Sequence, residues 1–243
     1  MLVSFAGLTI ELLPKYPDTA RLCAHYPAPR GAVPDFSVSV TDEEILREGI
    51  PSEELSLGYL ETLAIYRKIA ERALSFGRLL FHGSALSYKG HGVLFTAPSG
   101  TGKSTHAALW REAFGDDVLM VNDDKPLLTA SEDGVFVSGT PWDGKHALST
   151  NCTVPLRAVC LLARGQETTI RKIRSADAYP YLLGQTYRPQ DPALLSATLS
   201  LSDRVFPRVA CFVLRTTMEH SAARIACRGI FGDRDEPIIP APL

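Results

Sequence analysis

The sequence predicts an α/β protein assembled around a phosphate-binding loop, with a small β-rich unit ahead of it. Three observations predict this. A strand, a glycine-rich turn and a helix follow one another over residues 91–110. Short apolar runs with strand character recur on both sides of that stretch. One long segment, 52–76, repeats apolar residues at helical spacing. A chain of 243 residues can bury one large core, or one core plus an appendage. We divide it into an appendage over 1–50 and a phosphate-loop domain over 51–243.

In the appendage, Leu2-Val3-Ser4-Phe5 and Leu8-Thr9-Ile10-Glu11-Leu12 read as strands. A loop carrying Pro27, Pro29, Gly31 and Pro34 separates them from Phe36–Val40, which alternates with period two. Thr41-Asp42-Glu43-Glu44 is a capping box for a short helix. Nothing here carries chemistry, so the unit reads as a flap on the core, with recruitment of a substrate as its alternative role. In the segment 52–76, Tyr59, Leu63, Tyr66, Ala70 and Leu74 form one apolar stripe, and Gly77 suits the helix end. The stripe reads as core packing.

Arg78 to Tyr88 reads as one strand, Lys89-Gly90 as a hairpin turn, and Gly92 to Phe95 as the partner strand. His82 then lies on the strand beside the one feeding the loop. Strand histidines are usually structural, and position alone makes His82 a candidate. The loop itself is Ala97-Pro98-Ser99-Gly100-Thr101-Gly102-Lys103-Ser104, followed by Thr105. Gly100 and Gly102 let successive backbone N–H groups point inward on phosphate oxygens. The following helix adds its N-terminal N–H groups and dipole. Lys103 can reach β/γ-phosphates, and the Ser104 hydroxyl is a Mg²⁺ ligand. Residues Pro98, Ser99, Gly100, Thr101, Gly102, Lys103, Ser104 and Thr105 are thus the nucleotide-binding candidates. Ala97 replaces the glycine of the strict pattern and is compatible with negative φ.

Beyond the loop, Asp117–Val121 reads as a strand ending in Asn122-Asp123-Asp124-Lys125. Paired carboxylates at such a strand end can divide two tasks: one holds Mg²⁺, the other orients or deprotonates a hydroxyl. A solvated turn is the plain alternative. A hairpin centred on Glu132-Asp133-Gly134 leads to the loop Gly139-Thr140-Pro141-Trp142-Asp143-Gly144-Lys145-His146. It could close over the transferred phosphate with Lys145 as a second cation, or simply connect two strands. Val154–Leu161 reads as a strand and Thr168–Ile173 as an edge strand. A helix capped by Ser175 runs to Leu183, interrupted at Pro180. Arg188 sits in the next loop and could contact phosphate. Asp191-Pro192 starts a helix with apolar Leu194, Ala197, Leu201 and Val205. Val209–Leu214 is a strand, Glu219–Cys227 a last helix, and 235–242 an extended or mobile tail.

Composition narrows the class. Net charge is −2, which draws the chain toward neither nucleic acid nor an anionic membrane surface. No apolar run approaches the ~20 residues of a membrane helix, and the N-terminus lacks the basic lead of a secretory signal. Five cysteines form no Cys-x-x-Cys pair, and Cys160 and Cys211 fall in apolar runs. The reading is a reduced, cytoplasmic protein without structural zinc, open to forming a homo-oligomer.

Phe81-His82-Gly83-Ser84, then Gly92 through Thr105, then Asn122-Asp123-Asp124 resemble the catalytic domain of HPr kinase/phosphorylase. That domain is similar to the nucleotide-binding part of ATP-dependent phosphoenolpyruvate carboxykinase. The resemblance implies a mixed β-sheet P-loop fold and a kinase-like catalytic domain using ATP and Mg²⁺. It implies Asp123 as the base on an acceptor hydroxyl, Asp124 serving Mg²⁺, and His82 lining the phosphate site. The family carries glutamate after the loop serine where this chain has Thr105, and its later glycine-rich signature is not found here. Similar stand-alone kinases phosphorylate a serine of precursor peptides. A hydroxyl phosphotransferase acting on a protein or peptide serine is the leading expectation, with Lys103, Asp123, His82, Lys145 and Arg188 as catalytic candidates. A small-molecule kinase, a carboxykinase-like enzyme and a non-catalytic nucleotide sensor are the alternatives.

Overall fold

The computed structural model describes residues 1–52 and 55–232. Strand β1 (Leu2–Phe5) folds back on β2 (Leu8–Leu12) through Ala6-Gly7, both at positive φ. β3 (Phe36–Val38) then joins β2 in parallel, which requires a long crossover. That crossover, expected as loop, contains helix α1 (Pro17–Leu22), started by its proline in the first turn. Helix α2 (Asp42–Leu46) carries the expected capping box between Thr41 and Glu44.

Helix α3 (Leu57–Ala73) starts on Ser56, whose hydroxyl accepts from the Tyr59 N–H, and tightens into a 3₁₀ turn over Leu74–Phe76. Gly77 ends it in the left-handed conformation. The expected helix began at 52; Ser52, Leu55 and Ser56 are not helical, and 53–54 lie outside the described residues. The expected stripe is only partly the buried face. Tyr59 is 47% exposed, whereas Leu60, Ala64, Ile65, Tyr66 and Ile69 are buried. The helix packs against the small sheet on one side and Leu127 and Trp142 on the other, so burial extends round most of its circumference. The core of the N-terminal unit therefore continues into α3 and the loop after residue 138.

The second sheet has nine strands and is mixed. These are β4 (Arg78–Leu80), β5 (Ser84–Tyr88), β6 (His91–Thr96), β7 (Val118–Asn122), β8 (Leu127–Ser131), β9 (Gly134–Ser138), β10 (Thr153–Arg164), β11 (Thr169–Ile173) and β12 (Ala210–Thr216). Along the sheet the order is β4-β8-β9-β10-β6-β5-β7, with β12 on β10 and β11 on β12. β10 is the hinge. Its first residues pair antiparallel with β9. From Leu156 onward it runs parallel to β6, and from Ala158 parallel to β12. A register shift between Leu156 and Ala158 curls the sheet there.

The expected single strand from Arg78 to Tyr88 is two strands. β4 pairs with β8, while β5 pairs with β6 and β7. The chain crosses between these halves at Phe81-His82-Gly83. Gly83 permits the crossing: a Cβ there would lie 2.8 Å from the Phe95 carbonyl oxygen. His82 therefore sits in a crossover and not on a strand. The hairpin turn at Lys89-Gly90 is as expected, both residues at positive φ.

Helices cover both faces. α5 (Ser175–Gly184) and α6 (Pro192–Val205) lie on one. α4 (Lys103–Phe114) and α7 (Ser221–Phe231) lie on the other. α5 continues through Pro180, and its N-cap is Arg174. Trp110 of α4 is fully buried among Tyr88, Phe95 and Phe114, a contribution of about 2–3 kcal/mol. This residue clamps the helix after the phosphate loop to the sheet. The tail expected over 235–242 lies outside the described residues.

Candidate functional site

β6, β7, β10 and β12 all run in one direction, and β5 runs against them. Their ends place four turns on one sheet edge: 122–125 after β7, 81–83 before β5, 97–102 after β6, and 164–165 after β10. Parallel strand ends of this kind are where α/β proteins bind ligands.

The turn after β6 has the conformation its glycines allow. Gly100 and Gly102 stand at φ 74° and 109°, and the space beside both Cα atoms is open. Pro98, Ser99 and Gly100 are exposed, Thr101, Gly102, Ser104 and Thr105 half-buried, and Lys103 buried. The Lys103 Nζ donates to the Ala97 carbonyl at 3.0 Å, curling over the loop. Burial pulls this ammonium below the ordinary lysine range, and the charges of Asp124 and Asp123 oppose that. Both acids are thus within electrostatic reach of the loop lysine.

The acid turn is shaped by Asn122, which is fully buried. Its Oδ1 accepts from the N–H groups of Asp124 (2.9 Å) and Lys125 (2.6 Å). Its Nδ2 donates to the Thr140 carbonyl (2.9 Å), among other contacts. Tyr66 donates to the Lys125 carbonyl at 2.6 Å and Tyr26 to the Thr140 carbonyl at 3.0 Å. The Tyr66 ring stacks on Trp142 at 4.2 Å, and Trp142 donates to the Thr62 carbonyl. Tyr26 of the N-terminal unit, with Tyr66 of α3, therefore buttresses this turn.

The two carboxylates differ. Asp123 is buried, and its Oδ1 accepts from Ser84 Oγ at 2.6 Å. Asp124 faces Lys125 at 2.7 Å and His82 Nε2 at 3.5 Å. Burial pushes the Asp124 carboxyl up, but His82 and Lys125 outweigh it and hold it at about 2. His82 Nδ1 lies 3.2 Å from Gln185 Oε1, so the ring bridges Gln185 and Asp124. Ser104 and Asp124 are the residues that could hold a divalent ion. One hydroxyl and one carboxylate suit an ion that takes its other ligands from water and phosphate. Among the described residues, no three His, Cys, Asp or Glu side chains converge as a metal site.

The loop 139–150 reaches the same place. Gly139 passes so close to Val121 and Thr150 that a Cβ would clash with both carbonyl oxygens. Gly144 abuts the Asp124 side chain. Lys145 follows on an exposed 3₁₀ turn (Gly144–His146), at the rim. Arg188 is exposed, on a segment tied to β4 by the Tyr187 N–H, which donates to the Leu80 carbonyl. The structure brings His82, Lys103, Asp123 and Asp124 together and sets Lys145 at the margin; Arg188 is exposed, three residues beyond Gln185.

Four residues escaped sequence reasoning. Ser84 and Gln185 orient Asp123 and His82. Asp143 is a third acid at the site; it is buried, held by Ser149 Oγ at 2.7 Å, and pushed up by burial and by the charges of Asp123 and Asp124. Arg164 donates to the Gly100 carbonyl at 2.8 Å. Only the pairing of β6 with β10 puts Arg164 there, and no local signal announces it. His106, in contrast, is structural. It is buried, accepts from Trp110 Nε1 at 3.1 Å, and is depressed to about 4 by burial.

No curated protein matches the chain. Among solved structures, the Hpr(Ser) kinase/phosphatase from Coxiella burnetii is similar over 51% of this chain and 90% of that one. Identity is 17% and the TM-score 0.30, too loose a superposition to bear on the site. A family model described as "SynChlorMet cassette protein ScmC" matches residues 51–187, a stretch that holds His82, the phosphate loop, the acid turn and Lys145. With more than half of its length matched, the chain belongs to the ScmC family.

Proposed function

We propose that this protein is an ATP- and Mg²⁺-dependent phosphotransferase that acts on a hydroxyl, a serine of a protein or peptide. The observation that carries it is the meeting, on one sheet edge, of the loop lysine with an acid pair whose members have different partners. Binding alone needs the loop; it does not need a second, separately oriented carboxylate.

The residues fit a Mg-nucleotide. The backbone of 99–104 and Lys103 would hold the phosphates, and Ser104 and Asp124 the ion, which when bound neutralises charge on the phosphate oxygens. Ser84 fixes Asp123 through Oδ1. That leaves Oδ2 to accept the proton of the acceptor hydroxyl as its oxygen bonds to the γ-phosphorus and the bond to the bridging oxygen breaks. His82, held by Gln185, keeps Asp124 ionised and oriented.

Asp123→Asn keeps the Ser84 contact and removes the base. Transfer of labelled phosphate from ATP to a panel of serine peptides should fall roughly 10²–10⁴-fold, with ATP affinity within about twofold. Unchanged transfer would remove Asp123 from its role. ATP binding with no transfer to any hydroxyl acceptor by the unaltered protein would favour a nucleotide sensor instead.

A further inference from the structure

The site edge is asymmetric. On one side of the phosphate loop, across β5, lie the acids at the end of β7. On the other side lie β10 and β12, whose ends carry arginines. An open cleft of about 770 Å³ sits there, lined by Arg164, Gly165, Gln166, Glu167, Thr169 and Arg215. Arg164 belongs to both places, since it lines the cleft and donates to the Gly100 carbonyl of the loop. Neighbouring strands are ~4.8 Å apart, so the cleft begins one strand from the loop, with the acids two strands away on the opposite flank.

We infer that this cleft takes the nucleoside end of the nucleotide, base and ribose, and so sets its direction along the sheet edge. This rests on the reading of the loop as a nucleotide site. The terminal phosphate has to face Lys103 and Asp123, so the nucleoside has to leave toward β10 and β12. The cleft is open, so it would cover one face of the base and ribose and not enclose them. The lining is mixed, with two guanidinium groups, one carboxylate, one amide and one hydroxyl. Such a set suits ribose hydroxyls and the edges and face of a base better than a bare anion. Guanidinium planes stack on aromatic rings as well as binding phosphate. Arg215 is exposed, and among the described residues no side chain pairs with it. Gly165 keeps the floor low: a Cβ there would lie 2.8 Å from the Glu167 carbonyl oxygen.

The test compares ATP with inorganic tripolyphosphate, which has the phosphates without the nucleoside, by calorimetry on the full chain with Mg²⁺. Arg215→Ala should weaken ATP about tenfold and tripolyphosphate less than about twofold. Thr169→Trp, an exposed strand substitution that fills the cleft, should do the same. Arg164→Ala should weaken both ligands, because it also releases the loop. Equal loss of both ligands in Arg215→Ala, or no loss in either cleft variant, overturns the inference. So does unaltered protein that binds tripolyphosphate as tightly as ATP, and in that case the loop reading survives. Protein that binds neither ligand sinks both.

Discussion

Two turns on the same sheet edge are built in opposite ways. The phosphate loop over 97–102 is held mainly by itself: two glycines at positive φ, Lys103 curled onto Ala97, and one outside contact from Arg164. The acid turn over 122–125 is held by distant chain. Asn122 shapes it, Thr140 and Tyr66 secure Lys125, and Tyr26 secures Thr140. The loop is exposed at Pro98–Gly100 and half-buried at Thr101 and Gly102, whereas the acid turn is half-buried to buried. A turn that offers only backbone amides can be local. A turn that holds two carboxylates on different partners needs each one fixed separately, and buried anchors do this at the cost of dependence on the whole fold.

The contrast between the two turns breaks most sharply at Asn122. Asn122→Ala leaves the N–H groups of Asp124 and Lys125 without their acceptor and removes one of the two donors to the Thr140 carbonyl, Tyr26 being the other. It should cost about 4 kcal/mol in urea unfolding. A loss under about 1 kcal/mol would mean the acid turn is as self-supporting as the phosphate loop.

A smaller effect lies under the loop helix. His106 is depressed to about 4 and its ordinary value is about 6.5, so the unfolded chain takes the proton first. Its contribution is complete above about pH 6.5 and lost as pH falls toward 4, on the order of 3 kcal/mol. His106→Gln should flatten the stability–pH curve in that window, as thermal melts between pH 7 and 4 will show. A variant with the same slope as the parent assigns the acid sensitivity elsewhere.

The smallest effect sharpens the contrast. Tyr66→Phe removes one hydrogen bond to Lys125 while keeping the stack on Trp142, and should cost about 1 kcal/mol. Its turnover should drop while ATP affinity stays put. An equal effect on affinity would show that the buttress supports the loop as well.

Legibility followed the same division. The loop, the Lys89-Gly90 turn, the Thr41–Glu44 capping box and the Asp191-Pro192 helix start were readable because each needs only neighbours in sequence. The candidate acids were readable as a pair, but not which one Ser84 would hold. His82 was placed on a strand because Arg78–Tyr88 is continuously strand-like. The break came from Gly83 meeting Phe95, a contact no local pattern records.

The sequence by itself determined that a glycine-rich turn lies between a strand and a helix, because glycine freedom and helix starts are local properties. Only the tertiary structure decided what surrounds that turn. Strand pairings put Asp123 and Asp124 on one flank and Arg164 and Arg215 on the other. Folding of the N-terminal unit onto α3 and Trp142 brought Tyr26 and Tyr66 to the acid turn. Those juxtapositions join residues far apart in the chain, and they exist only once the sheet has formed.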